Sequence, residues 1–232
     1  GIFEDCFKSA KEIYHATDGA FNPAIFPLVQ YWGFFKGEIR EDASEIEIDS
    51  LLKIVDFSDS MINLYTDTIS KGDVIFGSTP VIAKLNGNTK IDFNGVNNKN
   101  TYWQIGVDKP VENSSPGSEG FQFVVTVNNG AIATSGNYRK FYEKDGLKYA
   151  HTINPNTGYP VQHSLLSVTV KADKCADADG YATAFMVMGV EQTKKFLSAK
   201  PELGLEVYLI ASNEIEEYDV WMTNGFENLI SE

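Results

Sequence analysis

One stretch of the sequence combines a histidine with a tight turn, a pairing that suits the chemistry of phosphate groups. Residues 151–160 are HTINPNTGYP, in which His151 ends a predicted strand and the Asn-Pro and Thr-Gly pairs force the turn. The outward amides of such a turn can form an anion-binding concavity, and His151 suits proton transfer or phosphate binding near neutral pH. The alternative is an ordinary turn after an ordinary strand histidine, which turn chemistry alone favours.

A second stretch opens a predicted helix with several aspartates, in the sequence ADADGYATA over residues 176–184. Asp179 and Thr183 are four residues apart, so their oxygens lie on one face of the helix. Hard oxygen ligands at that spacing suit Mg²⁺, which keeps several waters and uses few protein carboxylates. The alternative is capping of the helix by Asp177 or Asp179, which the local pattern alone favours.

A third stretch, ATSGNY over residues 133–138, ends a predicted strand in small residues. A turn of this kind allows close approach to a ligand phosphate or ring, although a plain strand-end turn explains the residues equally well. The sequence contains neither a glycine-rich phosphate loop nor a nucleophile elbow.

Composition limits the partners of the chain. The 232 residues carry a formal net charge of -13, which repels a nucleic-acid backbone, so nucleic acid is excluded as a partner. An acidic protein can still bind a phosphorylated small molecule when a cation screens the site. The two cysteines, Cys6 and Cys175, define neither a disulfide framework nor a zinc site, and their disulfide state is left open.

The elements that must position these residues follow from hydrophobic periodicity. Proline and glycine in 20–35 predict an ordered loop, and 72–93 alternates as a strand hairpin. The predicted helices are 2–15, 50–55, 178–188 and 190–199, and the further predicted strands are 103–107, 121–127, 131–133, 148–153, 165–171, 204–211 and 219–223. Strands in hairpin-like groups with helices between them predict an α+β fold, a mainly antiparallel sheet with packed helices.

Taken in order, these stretches resemble the ApbE family of FAD:protein FMN transferases. Residues 17–34 (TDGAFNPAIFPLVQYWGF) are similar to the family pattern TDGAFDPTVGPLVxLWGF. Residues 133–138 resemble ATSGDY, 151–160 resemble HIIDPxTGxP, and 177–189 resemble ADxxATAxxVMG. Four motifs in the family's order form a specific signal across nearly the whole chain.

The resemblance implies a reaction and its participants. Members bind FAD and Mg²⁺, transfer FMN to a threonine of an acceptor flavoprotein and release AMP, and some hydrolyse FAD to FMN and AMP instead. The matching positions imply that Asp179 and Thr183 bind the metal and that His151 assists the acceptor hydroxyl. The positions implied to line the flavin nucleotide are Thr134, Ser135, Gly136, Asn154 and Thr157. The alternative is a catalytically degenerate relative that binds flavin or a protein partner.

The chain also departs from the family pattern. Asn22 and Asn154 replace aspartates, and Phe26 replaces a glycine. Residues 90–96 resemble the start of LDLGGIAKGYxxD, but the helix and strand expected next do not follow. We therefore expect a single ApbE-like domain over 1–232 that lacks an N-terminal segment and an internal segment near 96–97, whether deleted or not included in the chain. The resemblance further implies an exported lipoprotein on the periplasmic side of the inner membrane, whose lipid anchor lies outside this chain.

Overall fold

The structure is a computed structural model that describes residues 2–35, 39–40, 42–58, 102–111, 120–138, 141–144, 147–213 and 218–231. The α-helices are α1 (Ile2–Ala16), α2 (Phe26–Tyr31), α3 (Glu45–Ile54), α4 (Cys175–Ala199) and α5 (Asn224–Glu227), with a 3₁₀ turn at Pro201–Leu203. The strands are β1 (Trp103–Asp108), β2 (Phe121–Val127), β3 (Ala131–Gly136), β4 (Phe141–Lys144), β5 (Leu147–Ala150), β6 (Leu165–Ala172), β7 (Glu206–Ser212), β8 (Tyr218–Met222) and β9 (Ile230–Ser231).

Within the described residues, the strands form three sheets, with the orders β1-β2-β9, β3-β6-β7-β8 and β4-β5. Neighbouring strands of the first two sheets pair antiparallel throughout. In the second sheet, Thr134 of β3 lies opposite Thr169 of β6. The expected α+β fold with a mainly antiparallel sheet is therefore confirmed.

The chain divides into two compact units, and each contains two separate segments. Unit 1 comprises residues 1–88 and 142–162, and unit 2 comprises residues 89–141 and 163–232. The expectation of one domain over 1–232 stays a prediction. In the part of the chain that the structure describes, no helix has the length and hydropathy needed to cross a bilayer.

Unit 1 is built around α2 and α3. One buried cluster joins these helices to the 151–160 turn, and its members are Leu28, Trp32, Ile48, Val55 and Ile153. A second cluster places Phe57 against Phe7 and Tyr14 of α1. Burial of these side chains stabilises the packing of the helices through the hydrophobic effect.

Unit 2 is built from the first two sheets and α4. Its buried cluster joins the β1-β2-β9 sheet to the β3-β6-β7-β8 sheet and to α5, and its members are Val125, Val127, Tyr208, Ile210 and Phe226. Helix α4 packs against β3 and β6. The strand with the ATSGNY motif and the helix with the aspartates are thereby neighbours.

Most predicted elements are observed with shifts of one to three residues at their ends. Two differences are informative. The predicted loop over 20–35 contains the short helix α2, because Pro27 lies in the first turn, where a missing N–H costs nothing. Helix α3 begins well before the predicted 50–55, because Ser44 caps it by accepting the N–H of Glu47. The predicted hairpin over 72–93 lies outside the described residues.

Candidate functional site

The candidate metal ligands lie in the first half of α4. The helix starts at Cys175, with Lys174 as its N-cap, so Asp179 lies beyond the first turn. The capping alternative therefore does not apply to Asp179, whereas Asp177 in the first turn interacts favourably with the helix dipole. Asp179 is only 3% exposed. Burial of a charged carboxylate costs free energy that another interaction must offset, and a bound cation is one such interaction.

The side chain of Thr183 faces β3. Its Oγ1 donates to the Asp179 carbonyl at 3.0 Å and lies 3.5 Å from the Ser135 Oγ. Hydroxyl and carboxylate oxygens are the donors that Mg²⁺ prefers, so the residues fit this ion in kind. Within the described residues, no group of three or more His, Cys, Asp and Glu side chains surrounds a common point. A magnesium ion here would therefore draw further ligands from water and phosphate oxygens.

Strand β3 presents its three candidate residues to two different neighbours. Side chains alternate along a strand, so Ser135 faces α4 while Thr134 and Gly136 lie on the opposite side. The hydroxyls of Thr134 and Thr169 are 2.9 Å apart. A cavity of about 250 Å³ adjoins that side, lined by Gly106, Val107, Asp108, Thr134, Gly136 and Tyr138. The prediction that residues 134–136 line a nucleotide thus concerns two separate faces of the strand.

The turn after His151 is held by its own polar side chains. The Asn154 Oδ1 accepts the N–H of Asn156 at 2.9 Å, and the Thr157 Oγ1 accepts the N–H of Tyr159 at 3.3 Å. Such side-chain bonds to nearby backbone shape Asx and Ser/Thr turns. The predicted turn is confirmed, and the Asn154 oxygen does what an aspartate oxygen there would do. The expectation of outward amides is wrong, because the N–H groups of Thr157 and Gly158 also donate within the turn, to the Asn154 carbonyl. Its role toward a nucleotide stays a prediction, as does that of Thr157.

The same turn contacts the start of the chain within unit 1. The Asn156 Nδ2 donates to the Asp18 carbonyl at 3.1 Å, and the Trp32 Nε1 donates to the Gly158 carbonyl at 2.8 Å. Gly158 has φ 77°, and a Cβ at this position would lie 2.5 Å from the Ile48 Cγ2, so only glycine fits. The motifs at 17–34 and 151–160 are therefore packed together.

The departure at Asn22 has a structural reason. Its Oδ1 accepts the N–H of Ala24 at 2.9 Å, and its Nδ2 donates to the Val55 carbonyl at 2.8 Å. An ionised aspartate could make the first bond but not the second, because it has no proton to donate. Asn22 is 8% exposed, so the donor matters to packing. In this chain the amide ties the TDGAFN segment to the end of α3.

The candidate residues therefore fall into two groups. Unit 2 contains the β3 residues together with Asp179 and Thr183, and it brings Ser135 next to Thr183. Unit 1 contains half-buried His151 together with Asn154 and Thr157. The roles assigned to all of these residues stay predictions.

The sequence pattern does not identify two side chains that contact Met186, those of Asn137 and His163. The Asn137 Nδ2 donates to the Met186 Sδ at 3.0 Å, and the His163 Nε2 lies 2.8 Å from the Met186 carbonyl. They are 49 and 23 residues from Met186 in sequence, so no local spacing links them to it. Desolvation by burial lowers the pKa of His163 from its ordinary 6.5, against the opposing effect of the Met186 hydrogen bond.

Comparison with known proteins gives consistent results. A family model described as the ApbE family matches residues 2–98 and 94–209. The FAD:protein FMN transferase of Escherichia coli K12 is 29% identical over an alignment of 255 residues, and the alignment covers 98% of this chain and 70% of that protein. The enzyme of the same name from Vibrio cholerae serotype O1 is 34% identical over 208 residues, which cover 80% of this chain and 60% of that protein.

Solved structures share the fold. A histidine-to-glycine mutant of the flavin transferase ApbE from Vibrio cholerae superposes with a TM-score of 0.74 at 25% identity, covering 97% of this chain and 76% of that one. The ApbE protein of Thermotoga maritima gives a TM-score of 0.73 at 24% identity, with 97% and 77% of the two chains covered. The two segments of the family match meet at 94–98, where the sequence departs from the family pattern.

Proposed function

The chain belongs to the ApbE family, and on that basis we propose that it is a Mg²⁺-dependent FAD:protein FMN transferase. The relatives that align with most of the length of this chain carry the name FAD:protein FMN transferase. In the proposed reaction, an acceptor threonine Oγ attacks the phosphorus on the FMN side of the pyrophosphate. The new Oγ–P bond forms as the bond to the bridging oxygen breaks, AMP leaves with that oxygen, and the hydroxyl proton passes to a base.

Asp179 and Thr183 are the residues of this chain proposed to hold the cation, and His151 is the proposed base. Bound Mg²⁺ would neutralise charge on the phosphates, which is the main requirement of phosphoryl transfer. The Thr183 hydroxyl is already oriented by its bond to the Asp179 carbonyl. An imidazole is suited to accept a hydroxyl proton near neutral pH.

The observation that carries the proposal is the position of Asp179. It is a buried carboxylate inside a helix, one turn before Thr183, whose hydroxyl lies 3.5 Å from the Ser135 Oγ. A solvated helix-capping aspartate would lie at the first turn and be exposed. This arrangement supports a cation-binding role over a purely structural one.

The test is release of AMP from FAD, followed by chromatography, with and without Mg²⁺ and with an acceptor protein or a threonine-containing peptide. Asp179→Asn keeps the size of the side chain and removes its charge, so we expect turnover to fall by about 100-fold or more at subsaturating Mg²⁺. Asp177→Asn is the matched control on the same helix, and we expect it to keep most of the activity. Equal activity of Asp179→Asn and the wild type would remove Asp179 from the metal role.

His151 is tested separately by substitution with glutamine. We expect His151→Gln to lower kcat by about 100-fold, because general base catalysis contributes roughly 10²–10⁴. FAD binding, measured by thermal stabilisation in the presence of Mg²⁺, should persist in this variant. Stabilisation by FAD without AMP release in the wild type would favour the degenerate flavin-binding alternative.

The acceptor flavoprotein and its threonine are part of the proposal, as is the reaction with water as an alternative acceptor. The location on the periplasmic side of the inner membrane, through a lipid anchor, likewise rests on the family resemblance alone. Fractionation of cells that express the gene from its own promoter would test it, since a lipoprotein partitions with membranes.

A further inference from the structure

Helix α4 is two helical segments joined at Gly189. This residue has φ 74° and ψ -180°, which no α-helix contains and which glycine adopts without strain. The first segment, residues 175–188, carries Asp179 and Thr183. Because helix ends leave carbonyls without their helical partners, a break inside a helix requires donors from elsewhere.

Two side chains supply donors at this break. The His163 Nε2 lies 2.8 Å from the Met186 carbonyl, whose ordinary helical partner is the N–H of Val190, beyond the break. The Thr193 Oγ1 donates to the Gly189 carbonyl at 2.7 Å and reaches the Phe185 carbonyl at 3.4 Å. Since a carbonyl only accepts, the His163 Nε2 is the protonated nitrogen of this pair.

The imidazole also packs against the break itself. A Cβ at Gly189 would lie 3.1 Å from the His163 Cδ2, so the ring covers the face of the glycine that a side chain would occupy. His163 is the first residue of its segment of unit 2, directly after residue 162 ends unit 1. His163 lies just before β6, where the chain passes from unit 1 to unit 2. Its side chain links this segment to the end of the first α4 segment.

We propose that His163 is a positioning residue for the cation site: it fixes the end of the first α4 segment and thereby sets the position of Thr183. This inference rests on the proposed function, because it concerns the affinity of the same cation site. Thr183 is three residues before Met186, about 4.5 Å along the helix axis. A change at the Met186 carbonyl is thus transmitted through less than one turn of helix.

Magnesium makes such positioning measurable. It requires near-octahedral geometry at about 2.0–2.1 Å, so displacement of a ligand by a few tenths of an ångström weakens binding. Groups that orient metal ligands typically contribute about 10- to 100-fold in metal affinity. A merely structural role for His163 would instead lower the stability of the fold and leave the affinity for Mg²⁺ unchanged.

The experiment compares His163→Phe with His163→Gln in the full chain. Phenylalanine keeps a ring over Gly189 but has no donor, whereas the glutamine amide can donate from a position close to that of the imidazole Nε2. The affinity for Mg²⁺ alone is measured by isothermal titration calorimetry, and the Mg²⁺ concentration for half-maximal AMP release is measured at saturating FAD. Val125→Ala is the control, since Val125 is fully buried in unit 2 on a strand that does not pair with β3 or β6.

We expect His163→Phe to raise the dissociation constant for Mg²⁺ by about tenfold and His163→Gln to remain within about threefold of wild type. Val125→Ala should lower the melting temperature without changing that constant. Equal Mg²⁺ affinity in His163→Phe and the wild type, or no recovery with glutamine, would overturn the positioning role. A wild-type protein that neither binds Mg²⁺ nor cleaves FAD would instead refute the proposed function itself. If His163→Phe does not fold, His163→Gln is compared with His163→Asn instead, because the shorter asparagine amide does not reach the Met186 carbonyl.

Discussion

The indole of Trp32 donates a hydrogen bond to the carbonyl of Gly158 at 2.8 Å, across 126 residues of sequence. Both partners are buried, so removal of the donor leaves a carbonyl without that bond in an apolar cluster. We expect Trp32→Phe to lower the free energy of unfolding by about 1–3 kcal/mol. Urea unfolding followed by circular dichroism measures this, because that signal does not depend on the tryptophan removed.

Trp221→Phe is the control for this prediction. Trp221 is partly exposed and lies in unit 2, where its ring faces the Lys194 Nζ at 5.8 Å. We expect a loss within about 1 kcal/mol, as for other partly exposed positions. Similar losses for the two variants would mean that the bond to Gly158 contributes little.

The amide of Asn22 leads to a prediction that depends on pH. Asn22→Asp at pH 7 places a carboxylate against the Val55 carbonyl, so we expect a loss of about 2 kcal/mol or more in the free energy of unfolding. At pH 4 the difference from wild type should shrink, because a protonated carboxyl can donate to that carbonyl again.

Asn154→Asp tests the same chemical change where only the oxygen is used. The Asn154 Oδ1 accepts the N–H of Asn156, and an aspartate accepts it equally well. We expect a change within about 0.5 kcal/mol at either pH. If Asn22→Asp were equally neutral, the donor to Val55 would not be a determinant of stability.

Protonation of His163 links folding to pH in a defined direction. Burial lowers its pKa in the folded protein below the 6.5 of the unfolded chain. The unfolded state therefore binds more protons between these two values, so the contribution of His163 is fully present above pH 6.5 and is lost as pH falls through that window. Thermal melts from pH 5 to 8 should show a steeper acid loss in wild type than in His163→Gln. Parallel curves for the two proteins would contradict the lowered pKa.

Local sequence rules predicted the elements better than their long-range partners. Gly189 separates the predicted helices 178–188 and 190–199, because a helix interior disfavours glycine. The structure confirms this division, since the φ of Gly189 is positive. The strand over 121–127 has the predicted bounds, since its apolar and β-branched residues end at turn residues on both sides. Family resemblance, rather than spacing, selected Asp179 and Thr183 over a capping role.

The contacts of the site depend on information that no local window contains. Ser135 meets Thr183 only because β3 packs on α4, and Asn22 meets Val55 only because α3 ends beside the TDGAFN turn. The short helix α2 does not follow from the rule that proline ends helical structure, because proline is tolerated in a first turn. The position of Asp179 beyond the helix cap likewise needed the observed start of α4.

The composition of unit 1 from residues 1–88 and 142–162 bears on the order in which the protein can fold as it is made. The first helices leave the ribosome long before the segment that completes their apolar cluster, which contains Ile153. At the usual rates of translation this interval lasts several seconds, during which the unburied face of α2 and α3 is exposed to chaperones and to aggregation. Unit 1 therefore cannot complete its apolar cluster until β1, β2 and β3 of unit 2, which precede residues 142–162 in the chain, have been synthesised.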